Sequence, residues 1–323
     1  MNSRRLLACV ALSVLAFQVA AQSAFPAKAV RFVVPFPAGG PLDVMARLVA
    51  QKLGEQWGKP VIVDNVVGAT GSIGANTVAR AAPDGYTLLV TVDIPLTMYP
   101  AVAKNLPYDP RADFKPIANV AHTVNALFVN SAVSAPTVVE LVALAKAQPG
   151  KLTFSSAGIA SPAHFAGELF KVIAGIEMTH VPYKGAAPAM AAAVSGEVSL
   201  MFGPITQGMQ HLKSGKLRVL GVTGPEASPL LPGVKPLVEQ GFAGLVVFNW
   251  YPVMAPARTP DAVSEIIGAA LKRVFSDADV RTRLDGLGIN PVWDGPQEVA
   301  RAIDADIKRW TEVARRARME APQ

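Results

Sequence analysis

Ser156, Ser161 and His164 sit close together in "LTFSSAGIASPAHFAGELF", and a hydroxyl beside an imidazole is the raw material of acyl transfer. Such chemistry also needs an orienting acid and a sharply turned nucleophile, and the G-x-S-x-G elbow that supplies the turn is absent. Ser161, directly before Pro162, is better explained as a helix N-cap. The four histidines, His122, His164, His180 and His211, have no close metal-ligand spacing, so no metal site is expected. His180, in "THVPY", reads as a hydrogen-bonded structural histidine on a strand. The glycines of "VDNVVGATGSIG" fall three apart, at Gly68, Gly71 and Gly74, which is not the dinucleotide spacing, and no G-K-[ST] follows any glycine loop. No cofactor is expected. Asp64, Asp84, Asp93 and Asp109 occur mostly at strand ends or turns, where capping roles account for them.

A second kind of chemistry belongs to the backbone. In "PFPAGGPLDVMAR", residues 35 to 47, an apolar run ends at Phe36, Gly39-Gly40 permits a tight turn, and Pro41 suits the first position of a helix. A helix start after such a turn binds anions through its free N–H groups and its dipole. The plain alternative is a strand-helix connection with Asp43 capping the first turn. The same device recurs at Ser155 to Ser161, where a strand runs through small residues into the helix that opens at Pro162. A third strand end, "SLMFGPITQGM", brings Phe202, Gly203 and Thr206 to a comparable place.

The elements that must position these turns are short apolar runs: "AVRFVVPF", "PVIVDNV", "YTLLVTV", "NALFVN", "KLTFSS", "EVSLMF", "LRVLGVT" and "LVVFNWYPV". Between most of them lie helical patterns such as "LDVMARLVAQKLGEQW", "TVVELVALAKAQ", "PAHFAGELFKVIAG" and "DAVSEIIGAALKRVF". This alternation predicts an α/β fold of parallel sheets with crossover helices. Runs near Asn125 and Asn249 are placed to cross between two sheets. The expected organisation is a discontinuous first lobe, residues 24–126 plus 249–323, and a second lobe, residues 127–248. Ligands of open α/β sheets sit beyond the carboxyl ends of the strands, so two facing lobes make a cleft. His164, in the first turn of its helix, is placed to touch a ligand or its water there, and Trp250 with Tyr251 reads either as core or as hinge and pocket wall.

The chain has 323 residues, 51% hydrophobic and 17% charged, which excludes a disordered polypeptide. "MNSRRLLACVALSVLAFQVAAQSAF" reads as a secretory signal peptide over residues 1–21, so an exported, periplasmic protein that is not membrane-embedded is expected. Ser3-Arg4-Arg5 hints at twin-arginine export, but the apolar run suits general secretion at least as well. Cys9 is the only cysteine and leaves with that segment, which excludes disulfides and thiolate chemistry from the mature chain. The formal charge of +6 falls to +4 when Arg4 and Arg5 leave. Lysines and arginines are scattered without interleaved aromatics, so no nucleic-acid partner is expected.

Seven segments carry a family resemblance: "VPFPAGGPLDVMAR", "VGATGSIGANTVARAAPDGYTLLV", "LPYDPRADFKPIA", "SPAHFAGELF", "HVPYKGAAPAM", "GKLRVLGVT" and "WYPVMAPARTP". In this order the sequence resembles the Bug-type periplasmic solute receptors associated with tripartite tricarboxylate transporters. The resemblance implies a two-lobed periplasmic-binding-protein fold, a type II-like venus flytrap, around a small and usually carboxylated solute. In that family loop backbone groups and ordered water hold the carboxylate. Carried over by position, the contacts would be Phe36, Ala38, Gly39, Gly40 and Asp43 in the first loop, and Ser156, Ala157, Ser161 and His164 in the second, with Phe202 as a wall. Two departures stand out: Val67-Gly68-Ala69-Thr70-Gly71 where the family has a Pro-Gly-Ala-Gly-Gly-like run, and Ser199 where an acidic residue is common. The second favours a non-amino carboxylate.

The expected function is a non-enzymatic, monomeric receptor that closes on a small carboxylate and contacts a tripartite-type membrane transporter transiently. The alternatives are an exported enzyme acting on a small carboxylate and a ligand-sensing subunit of a signalling system.

Overall fold

A computed structural model describes residues 25–319; the expected signal peptide lies outside the described residues. The fold is mixed α/β, built on one ten-stranded sheet in which eight strands form a continuous path and two more branch from it. Strand β1 (Val30–Val34) lies parallel between β2 (Val61–Asn65) and β3 (Thr87–Val90). At the far end β5 (Thr153–Ser156) lies parallel between β6 (Thr179–Pro182) and β7 (Leu200–Pro204). Two antiparallel strands join these parallel sets. The 17-residue β4 (Phe114–Asn130) pairs with β9 (Phe248–Pro256) along its first part and with β7 along its last part. The exchange of partners falls between Val124, opposite Phe248, and Asn125, opposite Pro204. Strands β8 (Leu217–Val222) and β10 (Asn290–Asp294) also pair with β4.

The inner strands β1, β3, β5 and β7 are short and largely buried, which is why they read as apolar runs in the sequence. Helix α1 (Pro41–Trp57) follows β1 and turns Leu42, Met45, Ala46, Val49, Ala50 and Leu53 inward, the 3–4 spacing of an amphipathic helix. Gly58, at φ 61° and left-handed, ends it with its N–H on the Gly54 carbonyl. Helix α2 (Ser72–Ala79) follows β2, and α3 (Val138–Ala147) opens with a Thr137–Glu140 capping box. Helix α4 (Pro162–Ala174), capped by Ser161, is buried at every position from Ala163 to Phe170. The apolar burial of α4 requires close contact: a Cβ on Gly167 would stand 2.2 Å from the Phe154 ring.

Helices α5 (Ala186–Ser195) and α6 (Ile205–Lys213) follow β6 and β7, and α7 (Asp261–Ser276), α8 (Ala278–Gly286) and α9 (Pro296–Ala317) complete the chain. Helix α9 spans two cores. Val299 and Ile303 pack with Val33, Leu89 and Trp250, whereas Trp310, Val313 and Ala314 join Phe154, Phe165 and Phe202. The Trp310 and Phe165 rings lie 5.1 Å apart. No helix among the described residues is long and apolar enough to cross a membrane.

Candidate functional site

A cavity of about 440 Å³ lies where the two parallel strand sets meet the crossover strands. The first turns of α1 and α6 and the first residue of α5 border it, through Gly40, Pro41 and Leu42, through Ile205, Thr206 and Gln207, and through Ala186. None of these three helices has a side-chain cap at its N-terminus. Their leading N–H groups and the positive ends of their dipoles are therefore left for whatever fills the cavity. No charged side chain lines it among the described residues.

The floor is polar but neutral. Thr123 stands opposite Asn249 in the β4–β9 ladder, and Asn125 and Tyr251 each lie two residues further along their strands. The two-residue period places all four on one face, and all four line the cavity. Burial raises the Tyr251 phenol to about 12, with the Thr123 side chain pulling the other way and the Asp93 charge adding to the rise. Asn249 Nδ2 donates to Asp93 Oδ1 at 2.9 Å. Asp93 is fully buried, its Oδ2 has no partner among the described residues, and burial drives its carboxyl well above the usual range.

The structure divides the sequence-predicted residues into three groups. Phe36 and Gly40 line the cavity, and Ala38 and Gly39 are exposed beside them in the same turn. Asp43 acts as the brace of that turn. Its Oδ2 accepts from the Gly39 N–H at 2.9 Å and from Arg47 Nε at 3.0 Å, while Oδ1 accepts from Asn65 Nδ2 at 2.9 Å. Asn65 Nδ2 also donates to the Phe36 carbonyl. Burial pushes the Asp43 carboxyl up, but these hydrogen bonds outweigh it and hold it below its ordinary value.

Ser156, Ala157, Ser161 and His164 form a separate cluster and do not border the cavity. Ser161 Oγ donates to the Gly158 carbonyl at 2.7 Å and accepts from the His164 N–H, so the α4 terminus caps itself. Ser156 is fully buried, with Oγ 2.7 Å from His180 Nε2. The His164 and His180 rings stack at 3.8 Å and 11°, and the Phe154 ring packs beside the pair, 4.9 Å from His180 and 6.4 Å from His164. His164 Nδ1 accepts from the Ala160 N–H, which puts the proton of the neutral ring on Nε2. Burial, then the facing His180 and then Lys171 lower His164 to about 3; burial and then Lys171 lower His180 to about 4. This packed neutral pair has the Ser–His proximity of a hydrolase without exposure to the cavity.

Two placements correct the sequence reading. Phe202 does not line the cavity: it is fully buried in the core against Phe170, and Pro204 and Ile205, at the carboxyl end of β7 and the start of α6, line the cavity instead. Trp250 faces away from the cavity, packs against α9 and donates from Nε1 to Asp306 Oδ2 at 3.0 Å. Ser199 lies in the β5–β7 region, where its Oγ accepts from the Thr153 N–H at 3.1 Å, so it says nothing about an ammonium group in the cavity. The sequence reading missed Thr123, Asn125 and Asn249. Their trace was polar residues at period two in otherwise apolar strands.

This architecture, parallel strand sets joined by crossover strands around a cavity edged by helix starts, is that of the periplasmic solute-binding proteins. Residues 45–318 match the family described as TctC, tripartite tricarboxylate transporter family receptor, and the chain belongs to that family. It is 32% identical to protein BugT of Bordetella pertussis, covering 98% of each chain. Among solved structures it resembles Rpa4515 of R. palustris with adipate, at a TM-score of 0.80 and 31% identity over 92% of this chain and 99% of the other. It also resembles MatC from Rhodopseudomonas palustris with bound malate, at 0.75 and 31%, over 90% and 99%.

Proposed function

We propose that the protein is an extracytoplasmic receptor that captures a small carboxylate, closes around it and hands it to a tripartite-type membrane transporter. The observation that carries this reading is the meeting of three uncapped helix N-termini on one cavity lined by no charged residue among those described. A carboxylate there meets N–H donors and dipoles from both sides of the cleft. Three or four charge-assisted hydrogen bonds contribute about 1.5–3 kcal/mol each, a gross 5–10 kcal/mol. Micromolar affinity requires about 8 kcal/mol net, so further contacts from Phe36 and the floor amides are needed. The adipate and malate bound by the similar proteins are of the same chemical class.

On this reading residues 25–126 and 249–319 act as one lobe and 127–248 as the other, and β4 and β9 are the hinge strands. A solute that bridges the α1 turn and the α6 turn favours the closed arrangement. The Ser156–His164 loop, with Ala157, approaches the solute on closure through its backbone. The family supports a periplasmic location; a monomer that releases its solute unaltered belongs to the same proposal.

The test is binding of the purified chain to a panel of mono-, di- and tricarboxylates by melting temperature and calorimetry, with mass spectrometry of the recovered ligand. A ligand at about 100 times its dissociation constant adds about 2.7 kcal/mol of stability. Recovery of an unaltered ligand supports a receptor, whereas chemical conversion refutes it. Gly40→Val should abolish binding with the fold retained: Gly40 has φ −75°, open to any residue, and its nearest Cβ neighbour would be the Pro37 carbonyl at 3.5 Å. Undiminished affinity in that variant would overturn the α1 anion grip.

A further inference from the structure

The cavity floor carries a feature that a simple anion grip does not use. Asn249 lines the cavity, and its Nδ2 is committed to Asp93 Oδ1 at 2.9 Å. Asp93 is itself fixed behind the floor, with its N–H on the Trp250 carbonyl at 3.0 Å and its own carbonyl accepting from the Thr97 N–H at 2.9 Å. An amide has one donating end and one accepting end. With the donating end held by Asp93, Asn249 Oδ1 is the end left over, and it has no partner among the described residues. Asp93 Oδ2, behind the floor, is also buried with no partner among the described residues.

We propose that Asp93 and Asn249 form a specificity element: Asp93 fixes the Asn249 amide so that its carbonyl faces the solute, and the site thereby selects a carboxylate that also carries a hydrogen-bond donor. The donor is a hydroxyl, an ammonium or an amide, and a second carboxylate is disfavoured at that position. This inference rests on the receptor reading above. A second carboxylate against Oδ1 would set acceptor against acceptor, with no cation among the described lining residues to offset it. A hydroxyl or ammonium donates to Oδ1 and leaves the Asp93 contact intact. Asp93 touches the solute only through Asn249 and is a positioning residue.

The experiment compares matched pairs by calorimetry on the full mature chain: 4-hydroxybutanoate with succinate, 5-hydroxypentanoate with glutarate, and 6-hydroxyhexanoate with adipate. At the chain length that binds tightest, the hydroxy acid should win by about tenfold, the worth of one hydrogen bond gained over one refused. Asp93→Asn, which keeps the shape and lets the Asn249 amide turn its NH2 toward the solute, should shift the ratio toward the diacid by a similar factor. Asn249→Ser, which removes the directed carbonyl, should bring the ratio near one and serves if Asp93→Asn does not fold. A purely structural role for Asp93 would weaken both ligands equally and leave the ratio unmoved, which overturns the proposal. Preference of the unaltered chain for the diacid at every length overturns it too while leaving the receptor reading intact. Binding of neither series overturns the proposal, and the receptor reading is then decided separately by the wider carboxylate panel.

Discussion

Acidification should destabilise this protein through the stacked pair His164 and His180. Both rings are held below the ordinary histidine value of 6.5, His164 at about 3 and His180 at about 4. A group depressed on folding contributes its full stability above its unfolded pKa and loses it as pH falls toward the folded value. The window therefore opens near pH 6.5 and closes between about 4 and 3. Between pH 7 and pH 5 the unfolded chain takes up nearly one proton per histidine that the folded chain refuses, which costs about 2 kcal/mol for His164. His180 is less buried, so its share is discounted to about 1 kcal/mol, and the pair together gives ~3 kcal/mol.

Other groups titrate in the same range, so the measurement must be a difference. Glu168, 3.9 Å from His164 Nε2 and 2.9 Å from Lys171 Nζ, is raised by burial and works in the opposite direction, as do Asp93 and Asp306. His164→Asn keeps an acceptor for the Ala160 N–H and removes the titrating ring. Urea unfolding of both proteins at half-unit steps from pH 7.5 to 4.5 gives two stability curves. The variant should be the less stable at pH 7, and its loss between pH 7 and 5 should be smaller than that of the parent by about 2 kcal/mol. Parallel curves would refute the reasoning, because they would mean that the buried stack accepts protons as readily as the unfolded chain does.

Asp43→Ala removes the acceptor of the Gly39 N–H, Arg47 and Asn65 at one stroke; it should cost about 2–4 kcal/mol in urea unfolding and lower carboxylate affinity more than tenfold. Gly208→Ala puts a Cβ 2.2 Å from the buried Phe128 ring. Despite the better helix propensity of alanine it should lower stability by about 1–3 kcal/mol, read from the urea midpoint at unchanged slope.

The parallel strand sets were legible because strands such as β1 and β7, buried along most of their length, carry little except apolar residues. The first half of β4 was not. Pro116, Asn119, His122 and Thr123 interrupt its pattern, and the reasons lie far away in the chain. Asn119 accepts from the Tyr251 N–H and donates to Asp294, partners 132 and 175 residues distant. Asp294 ends β10, a strand that holds Pro291 next to its first residue and gives no pattern of its own. Asn249 was overlooked for a similar reason: its side chain is held by Asp93, 156 residues away in the chain and beyond the end of β3. The Ser161 turn was read from sequence as a second anion site, and its capping geometry is as expected. A side chain that caps its own helix nevertheless takes the donor a ligand would use, so the N-termini without a capping side chain, at Gly185–Ala186 and Pro204–Ile205, are the ones that reach the cavity.

The glycines at Gly71 and Gly74, which lack dinucleotide spacing, bear on the site in another way. A Cβ on Gly71 would stand 3.3 Å from the Phe36 ring, and one on Gly74 would stand 2.7 Å from the Pro35 side chain and the Val66 carbonyl. Helix α2 therefore presses directly on the end of β1, and Phe36 is seated from beneath before any solute arrives. From the other side Asn65 ties the Phe36 carbonyl to Asp43, which in turn holds the Gly39 N–H. The turn that presents the α1 N–H groups is thus fixed by close packing on one face and by a buried carboxylate on the other. A site made of backbone donors has no side chain to swing into place, so its affinity depends on this prior fixation. On the proposed reading, closure would bring the α5 and α6 starts toward this preformed α1 turn by a hinge motion at β4 and β9.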